Sequence, residues 1–291
     1  MVFFIFSQSM SETYNLSRRK FIYGAGCMCA ASLILPSCTQ VALSDRQQFN
    51  ILSDNFLYSK TFPAYDNFKS QTKLITGTSE YRNLIDTGYR IRDAINVYYE
   101  SNGEKNPTEN FQWEFVLVDD DQTKNAWCMP GGKIAIYTGI LDVTKNTDGL
   151  ASVMGHEIAH AVAKHSVERA SRGMLLNTST QLFDIFTGGK LSQVNRVTGM
   201  NTVGLLSQIG IMNPFSRTQE TEADYLGMIF ASLSGFDIRE TKKLWERMKE
   251  ANKGKEPPQF MSTHPSSSKR IKDLKEWENA VILDYPPIII S

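Results

Sequence analysis

The chain has 291 residues, with 31 basic and 31 acidic side chains and a hydrophobic content of 41%. The balanced charge argues against a nucleic-acid-binding protein and gives no electrostatic patch for a membrane surface. The length is sufficient for one hydrophobic core and is compatible with a single domain.

The N-terminus predicts export. The run Ser17-Arg18-Arg19-Lys20-Phe21-Ile22 has a twin-arginine pattern, and an apolar stretch over 21–35 overlaps its end. That stretch is short for a bilayer span, which needs ~20 apolar residues, so it predicts a signal peptide and not a permanent anchor. A basic region for general secretion is the alternative interpretation of the two arginines, and Met10 is an alternative start.

A lipidation motif follows the apolar stretch. Leu35-Pro36-Ser37-Cys38 resembles a lipobox, in which Cys38 becomes the acylated first residue, although Pro36 departs from the usual pattern. We therefore expect a signal over 1–37 and a mature domain over 38–291. The expected protein is a lipoprotein, held to a membrane by its N-terminal lipid, facing the periplasm at the outer membrane of a Gram-negative bacterium. Only Cys128 remains in the body of the chain, so no disulfide framework is expected.

The first half of the mature chain predicts helices and a small sheet. Residues 39–79 have a mixed composition, which predicts loops with short helical pieces. Apolar residues at helical spacing predict a helix over 80–101, whereas alternation predicts strands over 112–119 and 133–137. The mature part contains no apolar run of membrane-spanning length, so we expect a soluble body.

The strand over 133–137 is a candidate for substrate binding. A free strand edge can pair with an extended peptide through main-chain hydrogen bonds, which read little side-chain identity. Broad specificity is then expected, and the candidate substrate-binding residues are Gly132, Lys133 and Ile134. A simple hairpin turn is an equally compatible interpretation of the glycine pair at 131–132.

The run His156-Glu157-Ile158-Ala159-His160 is a candidate metal motif. Residues four apart lie on one face of a helix with ~3.6 residues per turn, so His156 and His160 can share a cation. Glu157 flanks the pair and can accept a proton from a metal-bound water without being a ligand. Unpaired imidazoles on a buried helix face are costly, which favours a metal over an empty cluster.

One long helix is predicted around this motif. Apolar residues at helical spacing run over 148–170, with Thr147 or Asp148 as the cap. His165 is then rotated away from the motif pair, which favours a helix-surface residue or one that supports a ligand. The next segment, 173–214, has no clear period and predicts either a lid over a cleft or a pair of packing helices.

A second helix offers the third ligand that a catalytic zinc usually needs. It opens at Arg217 and ends near Gly235, and Glu220 and Asp224 lie four apart on one face. One carboxylate can bind the metal while the other orients a ligand histidine. The alternatives are a solvated acidic face near a helix N-terminus and an unrelated site with Asp184 as third ligand.

The two motif-bearing helices together resemble a peptidase family. His156-Glu157-Ile158-Ala159-His160 is accompanied by Glu220-Thr221-Glu222-Ala223-Asp224, which fits a Glu-x-x-Ala-Asp element. Two further stretches agree, a Pro-Gly-Gly segment over 125–134 and a Thr-His-Pro element that contains His264. Over roughly 45–275 the chain is similar to the membrane-associated gluzincin peptidases, which include HtpX-type heat-shock proteases, CAAX prenyl endopeptidases and the periplasmic proteases LoiP and BepA.

The resemblance implies an α+β fold of the zincin type, mainly helical, with a small β-sheet and the His-Glu-x-x-His helix. It also implies one Zn²⁺ per chain, and the residues that bind it are His156, His160 and Glu220. Glu157 is then the general base, Asp224 orients a ligand, and His264 comes to the metal. His264 is either an occluding fourth ligand or a group that stabilises the oxyanion.

The implied function is zinc-dependent hydrolysis of peptide bonds in misfolded or unassembled cell-envelope proteins. Its partners are protein or peptide substrates and a membrane, with no nucleic acid, and the oligomeric state is not predicted. The alternative is a latent homologue, closed by His264 or by the segment 173–214, that acts as a chaperone-like binding or assembly partner. Two further helices are predicted over 237–253 and 266–279. The chain stops soon after them, which favours compact LoiP-like lipoproteins over relatives with a helical-repeat domain.

Overall fold

The structure, a computed structural model, describes residues 38–44, 46–175, 214–251, 259–265 and 268–289. The predicted signal over 1–37 and nearly all of the predicted lid over 173–214 lie outside these ranges. Among the described residues, no helix combines the length and the apolar character that crossing a membrane requires.

The described residues form six strands and nine helices, which confirms the mainly helical α+β fold. The strands are β1 (Cys38–Gln40), β2 (Gln47–Phe49), β3 (Leu74–Ile75), β4 (Glu114–Val118), β5 (Ala126–Met129) and β6 (Lys133–Tyr137). The helices are α1 (Asp54–Gln71), α2 (Ser79–Ser101), α3 (Thr138–Thr144), α4 (Thr147–Val162), α5 (His165–Leu175), α6 (Arg217–Leu233), α7 (Arg239–Ala251), α8 (Gln259–Thr263) and α9 (Ser268–Asp284).

Four of the strands form one mixed sheet in the order β3-β4-β6-β5. β6 pairs in parallel with β4 and antiparallel with β5, so both of its edges carry a neighbour. The predicted free edge over 133–137 is therefore wrong, and β5 is the end strand on that side of the described sheet. Lys133 and Ile134 are buried in β6, while Gly132 lies in the β5 to β6 turn with a φ of +80°. Strand order depends on long-range pairing, which local alternation does not contain.

Each face of this sheet is covered by helices. On one face α2, α4 and α6 build the main core, in which Leu84, Met154 and Phe230 are fully buried. On the other face α1 packs Tyr65 and Phe68 onto the sheet. Burying an apolar side chain of this size contributes roughly 1.5–3 kcal/mol, so the main core fixes α4 and α6 firmly against the sheet.

Helices α4 and α6 touch backbone to backbone. A Cβ added to Gly155 would lie 2.8 Å from the carbonyl oxygen of Gly227, and one added to Gly227 would lie 2.8 Å from the amide nitrogen of His156. Any side chain at these two glycines would push the helices apart. The contact lies beside the first histidine of the motif, so it sets the distance between the two motif-bearing helices.

The predicted single helix over 148–170 is two helices. Asn146 caps α4 by accepting a hydrogen bond from the Gly149 N–H at 2.8 Å, so the predicted caps Thr147 and Asp148 lie inside the first turn. The helix ends at Val162, and Lys164 has a φ of +54°, which turns the chain before α5 begins. Apolar spacing continues through this break, which is why the periodicity alone predicted one helix.

The region over 39–79 is more ordered than predicted. It contains a two-stranded hairpin of β1 and β2 and the 18-residue helix α1. Ser53 caps α1 by accepting from the Phe56 N–H, and Pro63 lies inside the helix. Proline removes one backbone donor and disfavours a helix interior, so the sequence argued against a helix here. Tertiary packing stabilises the helix nevertheless.

Candidate metal centre

Four buried side chains from three parts of the chain converge. His156 and His160 come from α4, Glu220 comes from α6, and His264 directly follows α8. Their candidate ligand atoms all lie within 4.8 Å of one another, and each residue is 2–3% exposed. The structure thus brings together the three predicted ligands and the histidine that was expected to join them.

The distances within the cluster are short. Nε2 of His156 lies 3.1 Å from Nε2 of His160, and the carboxylate of Glu220 lies 3.5 Å and 3.6 Å from these two atoms. Nδ1 of His264 lies 3.2 Å from Nε2 of His156 and 3.0 Å from Oε1 of Glu220. All four side chains therefore point their donor atoms at one small volume.

The outer nitrogen of His156 faces a carboxylate. Its Nδ1 lies 3.1 Å from Oδ1 of Asp224, which lies on α6 four residues after Glu220. Arg270 of α9 clamps Asp224 with Nε at 2.6 Å and Nη2 at 2.7 Å, and its Nη1 lies 2.8 Å from Glu220. Asp224 thus lies beside a motif histidine, and its orienting role stays a prediction, whereas the sequence did not single out Arg270.

The chemistry of the donor atoms fits a cation. A carboxylate beside Nδ1 of His156 places the hydrogen of a neutral imidazole on that atom and leaves a lone pair on Nε2. That lone pair faces Nε2 of His160 and the carboxylate of Glu220. Electron-rich atoms held this close in a dry site repel one another unless a positive charge lies among them. Two imidazole nitrogens and one carboxylate form a donor set that Zn²⁺ accepts.

The buried charges shift the pKa values around the cluster. Burial raises the pKa of Glu220, but His264 and Arg270 outweigh it and hold that pKa well below its usual range. Burial likewise opposes the ionisation of Asp224, and its clamp with Arg270 keeps the pKa low. Burial and the neighbouring His156 lower the pKa of His160. The carboxylates are therefore charged and His160 is neutral. Burial lowers the pKa of His156, but Asp224 and Glu220 outweigh it and raise that pKa, so a bound metal would displace a proton from this ring.

Glu157 lies at the side of the cluster with a different environment. Its Oε1 is 3.2 Å from Nε2 of His264, and Glu157 is 2% exposed. Burial raises the pKa of Glu157 to about 7, a shift that a cation in the cluster would oppose. A carboxyl group of this kind can exchange a proton near neutral pH.

His165 contacts the second histidine of the motif and is not a surface residue. It is fully buried, and its Nδ1 lies 2.8 Å from Nδ1 of His160. The turn at Lys164 makes this contact, because it redirects the chain between the two histidines. The predicted rotation of His165 away from the pair assumed one continuous helix, and the break between α4 and α5 removes that assumption.

The other candidate residues lie outside the cluster. Cys38 begins β1, with its Cα opposite Phe49 in β2. The substrate-binding candidates Gly132, Lys133 and Ile134 belong to the β5 to β6 turn and to the central strand β6. Asp184, the alternative third ligand, lies outside the described residues. Glu222, which lies in the same run as Glu220, also lies outside the cluster, and its carboxylate faces His165 and Arg46.

Comparisons with known proteins agree with this geometry. A profile described as Peptidase family M48 matches residues 90–278. The Mitochondrial metalloendopeptidase OMA1 of Schizosaccharomyces pombe is 33% identical over 264 residues, 89% of this chain and 72% of the relative. Its namesake in Saccharomyces cerevisiae is 33% identical over 188 residues, 62% of this chain and 51% of the relative. The Beta-barrel assembly-enhancing protease of Escherichia coli (strain K12) is 28% identical over 171 residues, 57% of this chain and 34% of the relative.

These comparisons correct the predicted location. Relatives named as mitochondrial occur in fungi, a plant and vertebrates. The expectation of a periplasm-facing lipoprotein in the outer membrane of a Gram-negative bacterium is therefore wrong. A basic run followed by an apolar stretch is shared by several kinds of targeting segment, so the pattern over 17–35 does not identify a membrane. The narrower likeness to compact LoiP-like proteins also finds no support among these relatives.

Proposed function

We propose that this chain uses one zinc ion to cleave misfolded or unassembled proteins. The premise is that the chain belongs to peptidase family M48 and is a metalloendopeptidase. The observation that carries the proposal is the meeting of two imidazole nitrogens, from His156 and His160, with the carboxylate of Glu220 beside Glu157 in a buried cluster. The family profile covers all of these residues. The name of the bacterial relative, an assembly-enhancing protease, supports unassembled proteins as the substrate class.

In this proposal His156, His160 and Glu220 would hold the zinc ion. Zinc held there would supply a Lewis acid that lowers the pKa of water and polarises a carbonyl group. Glu157 takes the proton of the attacking water and later gives it to the leaving amine. Asp224 accepts the Nδ1–H of His156, and Arg270 holds Asp224 in place for that bond.

The outer edge of β5 is the proposed site for the substrate backbone. β5 is the end strand of the described sheet, and it packs against α4, the helix that carries Glu157. An extended peptide paired along that edge would bring a carbonyl group close to the general base. Main-chain pairing reads few side chains, so this arrangement supports broad specificity.

A latent enzyme that mainly binds its partners is the second candidate, and His264 favours it. Its Nδ1 lies 3.0 Å from Glu220 and 3.2 Å from His156, in the space that a substrate carbonyl or a water would need. Arg270 also donates to the backbone oxygen of Pro265 at 3.0 Å, which holds this segment down. In this arrangement His264 closes the site, and cleavage requires it to move.

The test is zinc content and casein cleavage by the full chain, with Glu157→Gln and Glu220→Ala beside the unaltered protein. We expect about one zinc per unaltered chain. Glu157→Gln should retain the metal and lose roughly 10²–10⁴-fold in cleavage rate, because the general base is removed. Glu220→Ala should lose the metal. Glu276→Gln is the matched control, since its carboxylate is 59% exposed on α9 and should leave both readouts unchanged.

Each other outcome has a clear meaning. Zinc bound without casein cleavage, together with capture of unfolded casein by both the unaltered chain and Glu157→Gln, would favour the latent binding function. A freshly folded chain that binds no zinc would reject the metallopeptidase mechanism. Zinc retained by Glu220→Ala would reject Glu220 as the third ligand.

A further inference from the structure

His160 leads away from the cluster into a second set of buried polar side chains. Its Nδ1 meets Nδ1 of His165 at 2.8 Å, and Nε2 of His165 lies 2.8 Å from Oε2 of Glu222. Arg46 donates from Nε to the same Glu222 oxygen at 2.8 Å, and Ser44 donates its hydroxyl to the other oxygen at 2.6 Å. We call His165, Glu222 and Arg46 the hairpin relay, because Arg46 lies in the β1–β2 hairpin.

The relay fixes where the hydrogens lie. A carboxylate accepts hydrogen bonds only, so Nε2 of His165 must donate to Glu222. A neutral imidazole carries one N–H, and in His165 the contact with Glu222 places that hydrogen on Nε2. Its Nδ1 therefore accepts, and Nδ1 of His160 must donate. The remaining nitrogen of His160, Nε2, keeps its lone pair, and this is the atom that faces the cluster.

Arg46 supplies the charge that lets Glu222 act as an acceptor. His165 and Arg46 both face Oε2 of Glu222 at 2.8 Å, and Ser44 donates to Oε1 at 2.6 Å, so both oxygens of the buried group have donors. Arg46 also donates from Nη1 to both oxygens of Glu168 at 3.0 Å. Its side chain is 15% exposed, while the side chains of Glu222 and Glu168 are 3% and 1% exposed. One arginine thus neutralises two buried carboxylates.

The origin of Arg46 separates this support from the motif residues. The family profile begins at residue 90, whereas the hairpin spans 38–49. Arg46 and Glu222 are 176 positions apart in sequence. The support of His160 therefore depends on a segment outside the matched region.

We propose that the β1–β2 hairpin is part of the metal centre, and that Arg46, acting through Glu222 and His165, fixes His160 for binding a metal by Nε2. His165 and Arg46 are positioning residues, since neither points at the cluster itself. This inference rests on the proposed zinc site. A ligand whose orientation and hydrogen position are fixed binds a metal more tightly than one free to rotate, and loss of such support typically costs roughly 10–100-fold in affinity.

Two replacements at His165 separate positioning from packing. His165→Leu keeps an apolar volume and removes both ring nitrogens. His165→Asn places an amide oxygen close to the position of Nδ1, where it can still accept from His160, but it does not reach Glu222. Arg46→Met keeps the apolar stem and removes the guanidinium. Arg172→Met is the matched control, because Arg172 pairs with the same Glu168 but is 56% exposed.

All variants are made in the full chain carrying Glu157→Gln, so that self-cleavage does not interfere. Zinc affinity is measured by competition with a chelator, ligand geometry by the visible spectrum of the cobalt-loaded protein, and folding by circular dichroism. We expect His165→Leu to bind zinc roughly 10–100-fold more weakly with an altered cobalt spectrum. His165→Asn should recover most of the affinity, and Arg172→Met should match the parent.

The relay also predicts coupling. Arg46→Met should weaken zinc binding when His165 is present and add little in the His165→Leu background, because both act through one path. If His165→Leu does not fold, this coupling is measured with His165→Asn.

Unchanged zinc affinity in a folded His165→Leu, or fully additive effects of the two positions, would overturn the inference while leaving the proposed function intact. If the parent chain binds no zinc, the proposed function fails, and this inference fails with it.

Discussion

The two histidines of the metal motif differ in how their outer nitrogens are held. Nδ1 of His156 lies 3.1 Å from the carboxylate of Asp224, a direct contact between two neighbouring helices. Nδ1 of His160 instead meets the imidazole of His165 at 2.8 Å and reaches a carboxylate only beyond it. The first support is short and charged, whereas the second passes through a neutral ring to the N-terminal hairpin.

The difference shows how stability and ligand orientation are divided around one site. The side of His156 carries a fully buried ion pair, and breaking such a pair leaves an uncompensated charge in a dry interior. The side of His160 ends at an arginine that retains some contact with solvent, so part of its charge is screened. We therefore expect the first side to dominate the free energy of unfolding.

The largest effect is expected for Arg270→Ala. Arg270 is 5% exposed and faces both Asp224 and Glu220, so its removal leaves two buried carboxylates without their counter-charge. The free energy of unfolding of the metal-free chain should fall by roughly 3–5 kcal/mol, as measured by urea denaturation. Arg46→Ala should cost less. Equal losses for the two arginines would contradict the contrast between the two sides.

The pH dependence of stability adds a third carboxyl group, Glu157, to this contrast. The pKa of Glu157 is raised to about 7 from an ordinary value of 4.5, so its contribution to stability is present below pH 4.5 and is lost as the pH rises through about 7. The metal-free chain should lose about 3 kcal/mol relative to Glu157→Gln across this range.

Asp224 should behave in the opposite way. Its pKa is lowered by the clamp with Arg270, so its contribution is present at neutral pH and is lost as the pH falls through the lowered value. Denaturation of Asp224→Asn and of Glu157→Gln over the same pH series should therefore give differences from the parent with opposite slopes. Slopes of the same sign would contradict the assigned environments.

Gly227→Ala should weaken both sides together. Its new Cβ would lie 2.8 Å from the backbone of α4, and that strain should cost roughly 1–3 kcal/mol and shift Glu220 away from the motif histidines. Chelator competition should show weaker zinc binding. Gly88→Ala is the control, because its Cβ would meet only the side chain of Phe115, at 2.5 Å. A loss of zinc affinity in that control as well would show that general destabilisation is responsible.

The smallest effect is expected for Arg172→Ala. Its Nη2 lies 2.6 Å from Glu168, but the side chain is 56% exposed and the pair is screened by water. The free energy of unfolding, measured by thermal denaturation, should change by less than about 0.5 kcal/mol. A loss of stability as large as that of Arg46→Ala would show that the exposed Arg172 contributes as much to stability as the largely buried Arg46.

The sequence predicted the parts of the site that are encoded locally. Spacing by four residues places His156 and His160 on one helix face, and the same rule pairs Glu220 with Asp224. These two helices and their order along the chain needed no information beyond the residues themselves. The family resemblance added that the helices face each other.

The support of His160 was not predictable, because it depends on the folded chain. Lys164 has a positive φ, a conformation that Gly or Asn at this position would have signalled and that lysine does not. The apolar pattern therefore did not predict the break before His165. The partner of Glu222 lies 176 positions away, and no local rule connects them. The free sheet edge was assigned to β6 and not to β5, because the order of strands follows from pairing and not from alternation.

The contact between Gly155 and Gly227 bears on how this sequence can change over generations. The two helices contact each other there through backbone atoms, so the spacing between them does not depend on the volumes of the surrounding side chains. Substitutions elsewhere in the core can alter stability while the geometry of the cluster is preserved. The hydrophobic residues of the core can therefore be substituted widely, provided that Gly155 and Gly227 remain without a side chain.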